Sequence, residues 1–252
     1  MPATGAKPAG VTDEAQAAQA VRQMFDSIAP RYDFLNHLLS ANIDRLWWLR
    51  TARAFRATLT NPDAAILDIC CGTGDMTMAL LKHRPKNARP ILAADFAPQM
   101  LRRGAEKFGR RPDPALPYAI PMEADALHLP LRDASLDLIT TAFGFRNLAN
   151  YEAGLREFHR VLKPGARLGI LEFSEPGGLM GKAYGFYFRH VLPAIGRLIC
   201  GRDYPYTYLP ASVGSFPPPP QLLALMQSNG YKDSNWRPYT FGIAGLYTAT
   251  RA

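Results

Sequence analysis

Cysteine is scarce in this chain of 252 residues: three residues, Cys70, Cys71 and Cys200, an odd number with no C-x-x-C spacing. That excludes a disulfide framework, and the five scattered histidines add no ligand spacing, so no metal site is expected. Neighbouring Cys70 and Cys71 read as small buried residues closing a strand in a reducing compartment. Long apolar runs are missing too. Arg189, His190, Arg197 and Arg202 interrupt the best candidate, so no window of about 18 apolar residues forms a membrane span. The first residues, MPATGAKPAGVTDE, lack an apolar block behind a basic start; residues 1–13 read as a disordered tail rather than a secretory signal, and the protein is expected in the cytoplasm.

Acid is the minority charge, with 21 Asp and Glu against 29 Lys and Arg, a formal net charge of +8. Such a balance suits nucleic acid, an anionic membrane or an acidic ligand. The arginines at 45, 50, 53 and 56 and the basic residues at 102, 103, 107, 110 and 111 lack the interleaved aromatics of an RNA-binding module and read as solvated helix faces, so no nucleic-acid partner is expected.

What is present is an alternation of apolar strands and helical periods, the pattern of an α/β protein with a mostly parallel sheet. Helices are predicted over 14–29 and 42–58, then strands over 64–69, 90–95, 118–123 and 136–143. Helices over 75–83, 97–108 and 151–162 separate them, and the turn LKPGAR leads to a fifth strand over 167–173. A Pro- and aromatic-rich insertion over 176–217 follows, then a helix over 219–229 and strands over 235–240 and 243–250.

The turn after the first strand reads DICCGTGDMT. Gly72 and Gly74 would let backbone N–H groups and a helix start approach a ligand, but position 77 is Thr where a dinucleotide fingerprint needs its third glycine. Asp95 ends the second strand about 20 residues after the turn, where a carboxylate accepts ribose hydroxyls. Asp125 follows the third strand. Three acids at strand ends without a phosphate-cradling lysine fit a nucleoside that is cationic and carries no phosphate, and S-adenosylmethionine has those features. Asp68, Gly72, Thr73 and Gly74 are then expected at its amino-acid end, Asp95 at the ribose, and Asp125 with Ala126 at the adenine edge. The plain alternative for Asp68 is a turn acceptor, and for Asp125 a turn cap.

Seven stretches, FDSIAPRYDFLNHLLS (25–40), LDICCGTGDMT (67–77), AADFAPQML (93–101), EADALHLP (123–130), TTAFGFRNL (140–148), REFHRVLKPGARLGILEFSEP (156–176) and HVLPAIGRLI (190–199), make the chain resemble the ubiquinone/menaquinone biosynthesis C-methyltransferases. FDSIAPRYDFLN and FGFRN are specific to that family; the glycine turn and VLKPGARL are shared by class I methyltransferases generally. The resemblance implies a class I S-adenosylmethionine-dependent fold, a Rossmann-like sheet of seven strands with N-terminal helices and a helical insertion after strand five. It implies one methyltransferase domain over 14–252 and methyl transfer to a ring carbon of a polyprenylated quinol. It also implies cofactor contacts at Thr73, Asp95, Asp125 and Ala126. CCGTGD leans toward the menaquinone side, hence demethylmenaquinol; a ubiquinone-side benzoquinol, another methyl acceptor and a non-catalytic scaffold are the alternatives. The chain departs from the family at Ala142, where a serine often contacts the cofactor, and at Phe145, usually Leu or Ile.

A quinol hydroxyl has a pKa of about 10, so the site must favour its anion. Arg146 is the expected oxyanion stabiliser, Tyr32 a member of a proton relay, and Asn147 an orienting group. The alternatives are an ion pair with a sheet-end acid for Arg146 and an aromatic lid for Tyr32. Within the lid-like insertion, residues 182–199 place Tyr184, Tyr187, Val191, Ile195 and Leu198 near one helical face, which suits a cover for an isoprenoid tail, peripheral contact with an anionic membrane, or an ordinary core helix. A homodimer is left open.

Overall fold

The computed structural model describes residues 5–6, 13–29, 40, 42–109, 115–178, 181, 185 and 204–252. Tyr32 and the amphipathic stretch 182–199, apart from the backbone at 185, lie outside the described residues. Seven strands form one sheet: β1 (Ile66–Ile69), β2 (Ile91–Asp95), β3 (Ala119–Glu123), β4 (Leu136–Ala142), β5 (Leu162–Phe173), β6 (Tyr231–Tyr239) and β7 (Ala244–Arg251), in the order β3-β2-β1-β4-β5-β7-β6. The first five run parallel, and β7 is antiparallel to both of its neighbours. The strand order reverses between β1 and β4, so the crevice beyond their carboxyl ends is where this architecture places ligands.

The helices follow from capping and period. Asp13 accepts a hydrogen bond from the Gln16 N–H at 2.8 Å and starts α1 (Glu14–Ile28), which buries Ala17, Val21 and Met24 at helical spacing. Next come α2 (Ile43–Ala54), α3 (Arg56–Leu59), α4 (Asp75–Leu81) and α5 (Pro98–Gly109). Asn150 caps α6 (Tyr151–Val161) through the Ala153 N–H at 3.0 Å, and Tyr151, Leu155 and Phe158 face the core. Last are α7 (Tyr204–Ser215) and α8 (Pro219–Ser228). One core, on the face covered by α6 and α8, contains Leu67, Ile69, Phe158, Ile170 and Met226. The other, beneath α2 to α4, contains Trp47, Phe55, Ile66, Leu80 and Leu138.

Three sequence expectations are corrected. The helix expected over 42–58 breaks at Phe55, whose φ of −108° and ψ of 17° leave the helix while its ring is buried in the core. LKPGAR is no connecting turn: Leu162 already pairs with Leu136, and Lys163–Ala166 bulge out before Arg167 pairs with Leu138. The sixth strand begins at Tyr231 rather than 235, with a register shift between Lys232 and Asn235. Within the stretch read as a tail, Ala6 is buried and its N–H donates to the Leu148 carbonyl at 2.8 Å.

Candidate active site

A cavity of about 860 Å³ opens at the carboxyl ends of β1, β2, β3 and β4. Its floor includes Cys70, Gly72, Asp95 and Phe96, one side runs from Glu123 to Leu127, and another takes Ala142, Phe143, Gly144 and Asn147. The roof is α1, which contributes Gln19, Arg22, Phe25 and Asp26. Two polar contacts anchor that roof: Arg22 pairs with Glu123 at 2.5 Å, and the Asp26 carboxylate accepts the Gln99 N–H at 3.0 Å. The sequence signals a helix here but not its place above the site.

The glycine turn gets its shape from Asp95. One carboxylate oxygen accepts the Gly72 N–H at 2.7 Å and the other the Ala97 N–H at 2.9 Å, tying the end of β2 to the turn after β1. Gly74 adopts φ +85°, and a Cβ there would stand 2.5 Å from the Phe108 ring, so only glycine fits between turn and α5. Burial raises the Asp95 pKa from 3.8 to about 6 despite those donors. Asp125 sits at the opposite rim, accepting the Leu127 N–H at 2.9 Å and facing His128 Nδ1 at 3.0 Å. Ala126 is buried beside it.

Of the expected cofactor residues, the cavity wall brings together Gly72, Asp95, Asp125 and Ala126. Asp68, Thr73 and Gly74 stand behind it. Asp68 is 1% exposed and accepts hydroxyl hydrogen bonds from Thr77 at 2.5 Å and Thr140 at 2.8 Å, so it laces β1 to α4 and β4. Its side chain points to the α4 face of the sheet because its strand neighbours Leu67 and Ile69 take the other. Desolvation raises its pKa to about 6 as well. Thr73 is likewise buried.

Arg146 lies behind the wall. It is 5% exposed, does not line the cavity, and its Nη1 meets Glu172 Oε1 at 2.8 Å while its backbone N–H donates to Glu172 Oε2 at 3.1 Å. Nη1 also donates to the Phe143 carbonyl, Nε reaches the Ser212 hydroxyl at 3.4 Å, and the guanidinium lies 5.4 Å from the Phe173 ring centre. The ion pair with a sheet-end acid, the alternative reading, is present, and the guanidinium stands behind the wall among the described residues. Asn147 does face the cavity: its amide nitrogen donates to the Phe143 carbonyl at 3.3 Å, and its Oδ1 accepts from the Tyr208 hydroxyl of α7 at 3.0 Å. Phe145, the unusual ring of the FGFRN block, is fully buried and stacks on Tyr151 with centroids 5.5 Å apart.

Sequence reasoning missed Glu172, which is wholly buried, and Cys70, whose backbone turns at φ +55° into the wall. Burial and the carboxylates of Asp95 and Asp68 push both cysteine thiols well above their usual range, so they stay protonated. The donor set fits S-adenosylmethionine. Each Asp95 oxygen takes one N–H and keeps acceptor capacity for a vicinal diol, Gly72 offers close backbone approach, and Asp26, Asp95 and Asp125 supply negative charge around a sulfonium.

A sheet of this order, with a glycine turn after β1 and acids after β2 and β3, defines a class I S-adenosylmethionine-dependent methyltransferase. Solved structures agree on the fold. The [4+2]-cyclase SpnF superposes with a TM-score of 0.67 over 99% of this chain and 98% of its own, at 16% identity. A possible histamine N-methyltransferase from Thermotoga maritima gives a TM-score of 0.60 over 92% of this chain and all of its own, at 15% identity. The chain belongs to the ubiE/COQ5 methyltransferase family, whose sequence profile matches residues 12–251. It is 45% identical to a demethylmenaquinone methyltransferase of Deinococcus radiodurans, over the whole length of both chains. Identity is also 45% to the one from Thermus thermophilus, covering 90% of this chain and all of that one. A ubiquinone/menaquinone biosynthesis C-methyltransferase of Geobacter sulfurreducens is 40% identical over 94% of this chain and 90% of its own.

Proposed function

We propose that this protein methylates a ring carbon of demethylmenaquinol, with S-adenosylmethionine as methyl donor. The observation that carries this reading is the 45% identity to a demethylmenaquinone methyltransferase over the full length of both chains. The cavity is consistent with it. Phe143, in the wall, packs on Phe173 with centroids 4.4 Å apart and lies 5.8 Å from the Trp47 ring, which gives a flat bicyclic ring an aromatic flank.

The cofactor supplies an electrophilic methyl group. Asp95 holds the ribose, Gly72 approaches the amino-acid end, and Asp125 with Ala126 borders the adenine. Asp68, Thr73 and Gly74 act one layer out by fixing the turn. Asn147, its amide oriented by the Phe143 carbonyl and the Tyr208 hydroxyl, faces the acceptor and orients its ionisable hydroxyl. Arg146 positions that loop through Glu172 and the Phe143 carbonyl. Tyr32, which lies outside the described residues, keeps the place in a proton relay that the chemistry of quinol ionisation assigns it. The reaction runs at the cytoplasmic face of the membrane, where the prenylated substrate resides.

The name of the Geobacter relative covers ubiquinone as well, so the benzoquinol step is the second reading. Purified protein with labelled S-adenosylmethionine and reduced demethylmenaquinol should label the naphthoquinol ring carbon. Label only on a 2-methoxy-6-polyprenyl-1,4-benzoquinol would transfer the assignment to the second reading, and label on neither would overturn both.

A further inference from the structure

The turn joining β6 to β7 carries an unusual side chain. Phe241 is 79% exposed, and both Thr240 and Phe241 hold positive φ, 45° and 58°. A bulky residue in the left-handed region that also projects into water gains nothing for the isolated fold. Because Ala244 pairs with Phe173, this turn lies at the same end of the sheet as the cavity.

Helix α2 stands beside it. Trp47 donates its indole N–H to Thr240 at 2.8 Å, and Arg50 lies 5.8 Å from the Tyr239 ring centre. On the adjoining surface of α2, Ile43 and Leu46 are 38% and 42% exposed. Among the described residues, the exposed charges near these three apolar side chains are mostly basic: Arg45, Arg50, Arg53 and Arg237 are exposed and Asp44, the acid of α2, is buried, while Glu175, next to the turn through Ser174 and Pro176, is an exposed acid. Trp47 links this corner inward to Phe143 in the cavity wall.

We propose that Phe241, Ile43 and Leu46, ringed by Arg45, Arg50 and Arg237, dock on the surface of an anionic phospholipid bilayer. Apolar side chains enter the headgroup boundary, arginines meet the lipid phosphates, and the aromatic path from the corner to the cavity faces the leaflet. This placement rests on the reading that the acceptor is a membrane-borne prenylated quinol; the lipid contact itself is measured without turnover.

The test is flotation of the full chain with vesicles of phosphatidylglycerol and phosphatidylethanolamine, against vesicles of phosphatidylcholine alone. The wild type should float with the anionic vesicles and lose them with added salt. Phe241→Asn, whose side chain tolerates the left-handed backbone, should keep its melting temperature and lose about tenfold in partition. Arg45→Gln with Arg50→Gln should lose at least about fivefold. Methylation of a water-soluble short-chain demethylmenaquinol should be unchanged in Phe241→Asn, while methylation of vesicle-borne long-chain substrate drops. Equal partition of wild type and Phe241→Asn, or equal binding to phosphatidylcholine, overturns the docking surface. So does a dimer that Phe241→Asn dissociates in the absence of vesicle binding, which would assign the corner to a second copy. Vesicle binding lost in the variants, with no quinol methylated by any form, would instead retain the surface and overturn the acceptor.

Discussion

Asp68 and Asp95 are both buried, and both have their pKa raised to about 6 by desolvation, yet only Asp95 faces the cavity. Protonating Asp95 removes an acceptor the ribose needs, so cofactor affinity should fall as pH drops through about 6; calorimetric titration between pH 5 and 8 reads this. Asp95→Ala should weaken binding by about 100-fold, since it removes hydrogen bonds to a charged acceptor and frees the turn. Asp68 shows itself in stability. Its native pKa exceeds the unfolded 3.8, so the native state binds the extra proton between the two values, and its contribution to stability declines as pH rises from about 4 to 6. Asp68→Asn should flatten that part of the urea-unfolding profile, whereas Asp68→Ala, which strands two buried hydroxyls, should cost about 2–4 kcal/mol. The acids and glycines of the site were legible as residue types at strand ends. Which of them touch the cavity was not, because that depends on which face of β1 each side chain takes. The pairing of Arg146 was not legible for a related reason: its partner Glu172 lies 26 residues away on β5, and only the fold brings them together.

At the scale of elements, capped and periodic segments were readable. Helix α1 begins at the residue expected, and β1 to β4 fall within two residues of their apolar runs. The misreadings arose where tertiary packing overrode local signals. Pro164 and Gly165 look like a connection and form a bulge within β5; Phe55 interrupts a good helical stretch to fill a core. Helix α7, YPYTYLPASVGS, shows no amphipathic period to mark it within the insertion, yet it delivers Tyr208 to Asn147 and Ser212 to Arg146. The junction of the glycine turn with α5 is testable at this scale. Gly74→Ala places a methyl group against the Phe108 ring at positive φ and should cost at least about 1 kcal/mol, with cofactor binding weakened in parallel. Phe108→Ala in the same chain should restore part of the binding while remaining unstable itself, a split that equilibrium unfolding and titration together would show.

For the whole molecule, the alternation of segments gave the fold class, whereas the insertion of antiparallel β7 between β5 and β6 cannot be read from local pattern, because strand order is set by long-range pairing. No helix among the described residues is long and apolar enough to cross a membrane. The formal charge of +8 therefore matters through its distribution. Raising ionic strength from 50 to 300 mM should slow methylation of vesicle-borne quinol several-fold and leave a soluble analogue unaffected, since screening acts on the exposed arginines and not on the cavity.

The buried pair of Arg146 and Glu172 carries a historical consequence. Glu172→Gln should destabilise by about 3–5 kcal/mol, because it leaves an interior cation without its counter-charge, while an apolar replacement of both side chains can be nearly neutral. A lineage descending from this sequence thus meets a higher stability barrier at either site alone than at the two combined. The two codons behave as one heritable unit, and drift at one is blocked until the other has moved.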